Sequence, residues 1–292
     1  MLTIGIIGGS GLYAMDGLTD AREIEVETPF GPPSDVIVSG RLGAARLLFL
    51  PRHGRGHRLQ PSELPFRANI WALKQLGAER VIAVSAVGSL REAIKPGDLV
   101  VPDQFIDRTR GRIGTFFGDG IVAHVAFGDP VCSVLSTALV ASARRLRATV
   151  HAGGTYVCME GPQFSTRAES ELYRSWGAAI IGMTNLQEAK LAREAELCFA
   201  TLALATDYDC WKQDAHEVAI ADVLAVLAAN VALAKRVVHD VVPTLAAETA
   251  CGCGRALEHA IITDHARIPA RAKRDLAPII ARYVGRYVAE DA

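Results

Sequence analysis

Near its start the chain reads IGIIGGSGLY, from Ile4 to Tyr13, and this stretch decides how the fold is interpreted. Three isoleucines within its first four residues are typical of a buried strand, which we predict at Thr3–Ile7. The apolar run then changes to Gly8-Gly9-Ser10-Gly11. Glycines directly after a strand favour a tight turn whose backbone can approach a ligand closely. The stretch therefore predicts a strand followed by a candidate phosphate loop.

Two common nucleotide loops do not fit this stretch. A dinucleotide fingerprint needs G-x-G-x-x-G at the start of a helix, but the register from Gly9 continues with Gly11 and Ala14, and Asp16 with Gly17 then interrupts the helix. A nucleoside triphosphate loop needs a Lys after its last glycine, and none follows Gly11. The loop alone is compatible with an ordinary turn, so a phosphate site requires ligands from elsewhere in the chain.

Composition excludes several classes of protein. The chain has 292 residues, of which 50% are hydrophobic, and its formal net charge is −1, which gives no electrostatic footprint for nucleic acid. The most apolar long stretch, Val223–Val242, contains four charged or titratable residues and predicts a buried-face helix rather than a membrane span. No signal-peptide pattern is present, so we expect a cytoplasmic protein.

We expect one domain over residues 1–292, with a mostly helical C-terminal segment from about residue 246.

Strand and helix patterns alternate along the chain, which indicates an α/β fold with helices on both faces of a sheet. The predicted strands are Thr3–Ile7, Val36–Ser39, Arg46–Pro51, Arg80–Ser85, Leu99–Pro102, Thr155–Met159, Ala179–Met183 and Cys198–Ala205. The predicted helices are Pro65–Leu76 with Gly77 as its C-terminal cap, Asp129–Arg147, Arg167–Trp176, Asn185–Ala195 and Ala219–Val241. We also predict a turn at Gly88-Ser89 after the strand that begins at Arg80.

Polar groups follow several of these strands. They are Ser10, Arg52, His53, Ser85 and Thr184. Ligands of α/β sheets bind outside the carboxyl ends of the strands, and Arg is suited to phosphate because its guanidinium donates two parallel hydrogen bonds. Each residue also has an ordinary interpretation, as a surface charge or a helix cap. Their shared position after strands predicts a phosphate site at that edge of the sheet.

Two later segments carry groups that suit a nucleobase. Phe164 follows Glu160 after a strand and offers an aromatic face, although core packing is the common fate of a phenylalanine. Asp207 and Asp209 end an apolar strand and point the same way if that strand continues. Paired carboxyls in a desolvated cleft raise one pKa and so provide a proton donor at neutral pH. The alternative for this pair is a turn capped by carboxylates.

Taken in order, these segments resemble the nucleoside phosphorylase superfamily and, within it, the 5′-methylthioadenosine phosphorylases. The matching segments extend from Thr3 to about Lys212, and they are IGIIGGSGL, TPFGPPSD, RHGRGH, ANIWALKQLGAERVIAVSAVGSLRE, PGDLVVPDQFIDRT, EGPQFSTRAES, WGAAIIGMTNLQEAKLAREAELC and ATDYDCWK. The resemblance implies a three-layer α/β/α domain with a mixed central sheet. It also implies phosphate-dependent cleavage of an N-glycosidic bond in a homotrimer or a dimer of trimers, with inorganic phosphate as co-substrate and neither a cofactor nor a metal.

The resemblance implies a role for each matching residue. Phosphate would be bound by Ser10, Arg52, His53, Ser85, Ala86 and Thr184. The nucleoside would be bound by Met183 at the ribose, Phe164 and Ser165 at the base, Asp207 and Asp209 at the base edge, and His124 from a neighbouring subunit at the 5′ end. Relatives often have Thr at the positions of Ser10 and Ser85, and Ser keeps the hydroxyl.

The aspartate pair bears on both mechanism and substrate. Adenine leaves readily only when N7 is protonated, and a carboxyl at Asp207 can supply that proton while Asp209 or the second oxygen accepts from the 6-amino group. Relatives that prefer 6-oxopurines place Asn at the position of Asp207, so the pair favours 6-aminopurines. A 6-oxopurine nucleoside or methylthioinosine phosphorylase is the nearest alternative. A nucleosidase that uses water, an NAD-dependent oxidoreductase and a non-catalytic nucleoside-binding protein are more distant ones.

The cysteines allow two interpretations. Cys251-Gly252-Cys253 is similar to a C-x-C pair that some thermophilic relatives oxidise, but a reduced pair is the expectation for a cytoplasmic protein. A disulfide across one residue would be strained and easily reduced. We interpret the other four cysteines as small buried residues; they are Cys132, Cys158, Cys198 and Cys210.

Overall fold

A computed structural model of the chain describes residues 1–9, 11–12, 15–212, 220–245 and 251–285. The strands are β1 Thr3–Gly8, β2 Thr19–Ile24, β3 Ile37–Leu42, β4 Ala45–Pro51, β5 Arg80–Ser89, β6 Leu99–Val101, β7 Gln104–Arg108, β8 Val150–Ala152, β9 Thr155–Met159, β10 Ile180–Gly182 and β11 Cys198–Asp207. The helices are α1 Phe66–Gln75, α2 Ser133–Arg145, α3 Arg167–Ser175, α4 Asn185–Glu194, α5 Ile220–Leu245, α6 Ala270–Asp275 and α7 Ala277–Val284.

One mixed sheet joins all of these strands. Its main path runs β2-β3-β4-β1-β5-β10-β9-β7, and β11 pairs with the other edge of β5 and leads on to β6 and β8. The neighbours of β5 are parallel at β1 and β11 and antiparallel at β10. The α/β class and the mixed sheet are therefore confirmed. Strands β2, β7 and β8 were not predicted from the sequence, because they are short or largely polar.

Helices cover both faces of this sheet, as the alternating pattern predicted. Side chains alternate along β1, so Ile4 and Ile6 join the core beneath α2 and α5, whereas Ile7 joins the core beneath α1 and α4. The helix around Val237 and Val238 is buried on one side, as expected of an amphipathic helix. No helix in the described part of the chain is both long and apolar enough to cross a membrane.

The prediction of a turn at Gly88-Ser89 is wrong, because β5 continues through both residues. They pair antiparallel with Ile181 and Ile180 of β10, and this long-range partner has no signature near Gly88 in the sequence. Helix α1 does end as predicted, since Gly77 has a φ of +87° and its N–H donates to the carbonyl of Lys74.

The exchange of partners along β5 leaves a gap in the sheet. Strand β1 pairs with β5 only as far as Ala83, and β10 pairs with it only at Gly88 and Ser89. Strand β11 accompanies the opposite edge through Val87 and on to Gly88. Between Ala83 and Gly88, one edge of β5 thus faces a space where neither β1 nor β10 supplies a partner strand.

From Leu257 onward, the C-terminal segment packs onto the α1 side of the sheet. Ala123 forms an antiparallel bridge with Ile261, and the indole N–H of Trp71 in α1 donates to the carbonyl of Asp275 over 2.9 Å. Leu276 and Ile280 are buried in the same core. In the described part of this segment, α6, α7 and a 3-10 turn at Gly252–Arg255 are joined by turns and irregular chain.

Candidate active site

Arg52 lies at the centre of the gap beside β5. It follows β4, and only 3% of the residue is exposed, so the interpretation as a surface charge is wrong. Its backbone N–H donates to the carbonyl of Gly8 at the end of β1 over 2.8 Å. One terminal nitrogen donates to the carbonyl of Val84 on β5, also over 2.8 Å. Arg52 therefore bridges three strands where the partner of β5 changes.

A buried carboxylate holds the guanidinium of Arg52 in place. Glu188 on α4 is 1% exposed and accepts from Nε over 2.5 Å and from Nη2 over 3.0 Å. The side-chain amide of Asn185 supports the same carboxylate over 2.9 Å. Together with the bonds to Val84 and Ile7, these contacts use four of the five guanidinium N–H groups, and among the described residues the fifth, on Nη1, has no acceptor. Most of the hydrogen-bond donors of Arg52 are therefore already used to hold β5, β1 and α4 together, and few are available to a ligand. The role of Glu188 was not predicted from the sequence.

His53 is neutral at physiological pH. Its Nδ1 lies 2.8 Å from the carbonyl oxygen of Leu59, which can only accept, so Nδ1 carries the hydrogen and Nε2 is an acceptor. Burial lowers the pKa of His53 to about 4, and the positive charge of Arg52 acts in the same direction. The ring stacks on His57 with centroids 4.2 Å apart. A neutral His53 suits a ligand that donates a hydrogen bond, such as a protonated phosphate oxygen.

The other predicted phosphate residues have distinct environments. Ser85 is buried inside β5 and not after it, and its neighbour Ala86 is exposed within this otherwise buried strand. Thr184 is buried at the N-cap of α4, but its hydroxyl makes no capping hydrogen bond, so its interpretation as an ordinary helix cap is wrong. The hydroxyl and the N-terminus of α4 can both serve an anion. Ser10 lies outside the described residues.

Asp207 and Asp209 form a turn, because β11 ends at Asp207. The backbone N–H of Asp209, whose φ is +51°, donates to one carboxylate oxygen of Asp207 over 2.7 Å. The hydroxyl of Thr206 donates to the other oxygen over 2.7 Å. The strand therefore does not continue to Asp209, and of the two alternatives the capped turn is the one that forms. Both aspartates lie beside Gly88 of β5, since a Cβ at Gly88 would lie 3.1 Å from the Asp207 carboxylate and 3.3 Å from the Cβ of Asp209.

The two carboxyls differ in their electrostatics. Burial raises the pKa of Asp209, and the charge of the neighbouring Asp207 adds to that increase. The Asp207 carboxylate accepts two hydrogen bonds, from the hydroxyl of Thr206 and from the backbone N–H of Asp209. The raised pKa expected for one member of the pair therefore belongs to Asp209, whereas the sequence argument assigned the proton to Asp207.

Of the predicted nucleoside residues, Ser165 lies against the aspartate turn, and Met183 follows β10 and packs against Gly161. The thiol of Cys210, which follows Asp209, lies 3.2 Å from the carbonyl of Ser165. Met183 packs against Gly161, where a Cβ would collide with its sulfur. Phe164 is 82% exposed, so core packing is excluded and its ring is available to a ligand or to another chain.

Arg112 joins the two segments that carry these residues. Its nearly buried guanidinium donates to the backbone carbonyls of Met183 and Glu160 and, over 3.1 Å, to the hydroxyl of Ser62. The sequence analysis missed Arg112, because its partners lie far apart in the chain. The arrangement holds Glu160 and Met183 on either side of one guanidinium.

Tyr156 was also not predicted from the sequence, and its position explains why residue 182, just before Met183, is a glycine. Its ring is completely buried, burial raises its pKa, and its hydroxyl makes no hydrogen bond with the described residues. A Cβ at Gly182 would collide with that hydroxyl. The backbone that leads to Met183 and Thr184 can therefore follow this path only with glycine at position 182.

His124 stands apart from the residues around Arg52. It is exposed, and its backbone N–H donates to the carbonyl of Ala260 over 2.8 Å. The exposed side chains of Val122 and Ile262 lie on the same pair of segments, whose backbones are hydrogen-bonded to each other. Contribution of His124 to a site from a neighbouring subunit stays a prediction.

Comparison with known proteins identifies the family. A family model described as the phosphorylase superfamily matches residues 3–243. The S-methyl-5′-thioadenosine phosphorylase of Geobacter sulfurreducens is 59% identical over 96% of this chain and 99% of its own length. The chain belongs to the S-methyl-5′-thioadenosine phosphorylase family within the phosphorylase superfamily.

Solved structures of this family share the fold. A methylthioadenosine phosphorylase from an Antarctic soil metagenomic library superposes with a TM-score of 0.92 at 49% identity, over 95% of this chain and 98% of that one. A variant of the adenosine/methylthioadenosine phosphorylase of Schistosoma mansoni, in complex with methylthioadenosine, has a TM-score of 0.82 at 37% identity, over 88% and 96% of the two chains. The expected nucleoside phosphorylase-like fold is confirmed.

Proposed function

We propose that this chain catalyses the phosphorolysis of 5′-methylthioadenosine. A phosphate oxygen bonds to C1′, the bond from C1′ to N9 breaks, and adenine and 5-methylthioribose 1-phosphate are released. The observation that carries the proposal is the placement of two groups along one short stretch of β5: Arg52, which donates to the carbonyl of Val84, and the Asp207–Asp209 turn, which lies beside Gly88. The high identity to enzymes named for this reaction supports it.

In this proposal, phosphate lies between β5 and the N-terminus of α4. The ion pair with Glu188 offsets the charge of Arg52, so the anion depends on hydrogen bonds from Ser85, Thr184 and backbone N–H groups in addition to that charge. Neutral His53 would accept from the protonated oxygen of the phosphate. Phosphate held beneath C1′ would stabilise the oxocarbenium charge that develops there and then capture it. Inorganic phosphate is a co-substrate, and the proposed reaction uses no cofactor.

The aspartate turn would serve the leaving group. N7 of adenine must gain a proton as the glycosidic bond breaks, and the carboxyl with the raised pKa is the better proton holder. We therefore revise the sequence-based assignment, which gave the proton to Asp207: Asp209 supplies the proton, directly or through Asp207, and Asp207 accepts from the 6-amino group. General-acid catalysis of this kind contributes roughly 10²- to 10⁴-fold.

We also propose a cytoplasmic homotrimer, in which another copy covers the strip beside His124. Val122 and Ile262 expose 48% and 64% of their surface there, and large apolar side chains grouped on a surface favour burial against a partner. In such an assembly the partner's His124 would close the 5′ end of the nucleoside pocket. Sedimentation or light scattering of the purified protein would measure the number of subunits.

The direct test follows adenine release from methylthioadenosine with and without phosphate, with methylthioinosine and adenosine assayed in parallel. We expect phosphate-dependent release that is fastest from methylthioadenosine. Release of free methylthioribose without phosphate would instead indicate a nucleosidase. Fastest turnover of methylthioinosine would contradict the assigned base preference.

A pair of arginine variants tests the phosphate site. Arg52→Ala should strongly raise the phosphate concentration needed for half-maximal rate, because the variant loses the group that joins β1, β4 and β5. Arg145→Ala is the matched control, since Arg145 forms a half-exposed ion pair with Asp240 on the other face of the sheet. Equal phosphate dependence in both variants would contradict the assignment of the site.

A further inference from the structure

Four of the six cysteines meet at one point of the fold. Cys132 immediately precedes α2, Cys198 begins β11, and Cys251 and Cys253 come from the C-terminal segment. All four sulfur atoms lie within 4.8 Å of one another. The sequence had suggested that Cys132 and Cys198 are only small buried residues, because nothing in their local spacing connects them with the C-x-C pair.

The protein backbone holds these cysteines together. The N–H of Cys132 donates to the carbonyl of Phe199 over 2.8 Å, and the N–H of Cys198 donates to the carbonyl of Glu79 over 3.1 Å. Cys132 and Cys253 are buried in the core beneath α2 and α5, and Cys198 and Cys251 pack at its margin. The sulfurs of Cys198 and Cys251 are 3.2 Å apart, and all four thiols are free.

We propose that these four cysteines bind one zinc ion as a structural tetrathiolate site. A zinc–sulfur bond of about 2.3 Å in a tetrahedron separates neighbouring sulfurs by about 3.8 Å. The sulfurs of Cys198 and Cys251 are 3.2 Å apart and no pair in the cluster is separated by more than 4.8 Å, so the cluster has the dimensions of such a tetrahedron. Each sulfur therefore needs to move by roughly an ångström or less. Four soft thiolates with no open position favour zinc in a structural role.

The position of the site also indicates a structural role. Cys198 and Asp207 are the two ends of β11, and ten residues of strand separate their positions by about 30 Å. A metal here would instead tie the C-terminal segment to the sheet. That segment carries Leu257, whose backbone N–H donates to the carboxylate of Glu196 over 2.9 Å just before β11. The proposal is thus independent of the proposed catalytic activity.

Metal analysis of the full-length protein tests this inference directly. The protein is purified without chelator or reductant, and its zinc is measured by mass spectrometry with inductively coupled plasma. We expect about one zinc per chain. Reduced, metal-free protein should also bind Co²⁺ and acquire the intense red-region and near-ultraviolet absorption of tetrahedral cobalt thiolates, and added zinc should abolish both.

Variants and thiol counting complete the test. Cys132→Ser and Cys253→Ser should lose the bound zinc, whereas Cys158→Ser, a buried thiol in β9 outside the cluster, should retain it. Denaturation of the wild-type protein in chelator should then release six reactive thiols without reductant. Two reactive thiols would indicate a pair of disulfides and overturn the proposal. Bound iron in place of zinc would also overturn the proposal. So would reduced wild-type protein that binds neither zinc nor Co²⁺, and neither result depends on whether the variants fold.

Discussion

Arg52 and Glu188 form a fully buried, two-point ion pair across the gap in the sheet. The two residues are 136 positions apart, and their side chains are 3% and 1% exposed. A buried pair of this kind carries a large desolvation cost, so it is weak evidence for stability by itself. Its geometry instead orients the one remaining Nη1–H of Arg52 and anchors α4, whose N-terminus carries Thr184.

Glu188→Gln should lower the free energy of unfolding by about 3–5 kcal/mol, because it leaves a buried guanidinium without its counter-charge. Replacing both residues, as Arg52→Met with Glu188→Met, should restore much of that stability but not the phosphate-dependent turnover. Asp107→Asn is the control, since its half-exposed pair with Lys190 should contribute at most about 1 kcal/mol. Urea unfolding and phosphate kinetics separate the two effects, and equal losses in Glu188→Gln and Asp107→Asn would refute this account.

Asp207→Asn should depress turnover of methylthioadenosine and shift preference toward methylthioinosine. An amide can donate to a 6-oxo group, whereas a carboxylate held by Thr206 and the Asp209 backbone can only accept. The ratio of kcat/KM for the two nucleosides measures the change. Unaltered rates on both substrates would remove Asp207 from recognition of the base.

If Asp209 donates the proton, catalytic activity should decrease at high pH. Because burial raises its pKa, activity on methylthioadenosine should fall as pH rises through that value and the proton is lost. Asp207→Asn removes the neighbouring charge that adds to the shift, so the alkaline limb should move to lower pH. Asp209→Asn should abolish that limb. Profiles of kcat at saturating phosphate test this, and an alkaline limb that persists in Asp209→Asn would assign it to another group.

The buried carboxyl of Glu194, which is not part of the proposed active site, should make the stability of the protein depend on pH. Burial raises its pKa from 4.5 to about 7, although the backbone N–H of Phe116 and the hydroxyl of Thr115 donate to it. Between those values the folded state keeps a proton that the unfolded state has released, so its contribution to stability is complete below about pH 4.5 and is lost as pH rises through about 7.

Glu194→Gln should therefore gain stability relative to the wild type as pH increases from 5 to 8. Thermal unfolding at both pH values measures the difference. Glu171→Gln on the exposed side of α3 serves as the control and should track the wild type. A difference between Glu194→Gln and the wild type that is independent of pH would show that the carboxyl does not titrate in this range.

Phe164→Ala should affect binding without affecting stability. The ring is 82% exposed, so its removal should change the free energy of unfolding by no more than about 0.5 kcal/mol. Loss of stacking on a base is worth about 1–3 kcal/mol, so the KM for methylthioadenosine should rise roughly 5- to 150-fold. Leu172→Ala, which removes an exposed apolar side chain from α3, should leave KM unchanged. Matching KM values in the two variants would exclude stacking on Phe164.

The amino-acid sequence by itself determined the local elements and the family. Apolar runs with strand or helix periodicity located β1, β4, β9, α1 and α4, and Gly77 marked the end of α1, because these signals depend on neighbouring residues alone. The ordered set of motifs along the chain identified the phosphorylase superfamily.

The tertiary structure alone decided which distant groups meet. It extended β5 through Gly88, opened the gap beside Val84, and turned Arg52 from a free ligand into the partner of Glu188. It also removed the proton from His53 by burial and brought four cysteines from three segments together. Strand pairing, desolvation and the meeting of side chains depend on contacts between residues far apart in the chain, and the spacing of residues along the sequence does not encode those contacts.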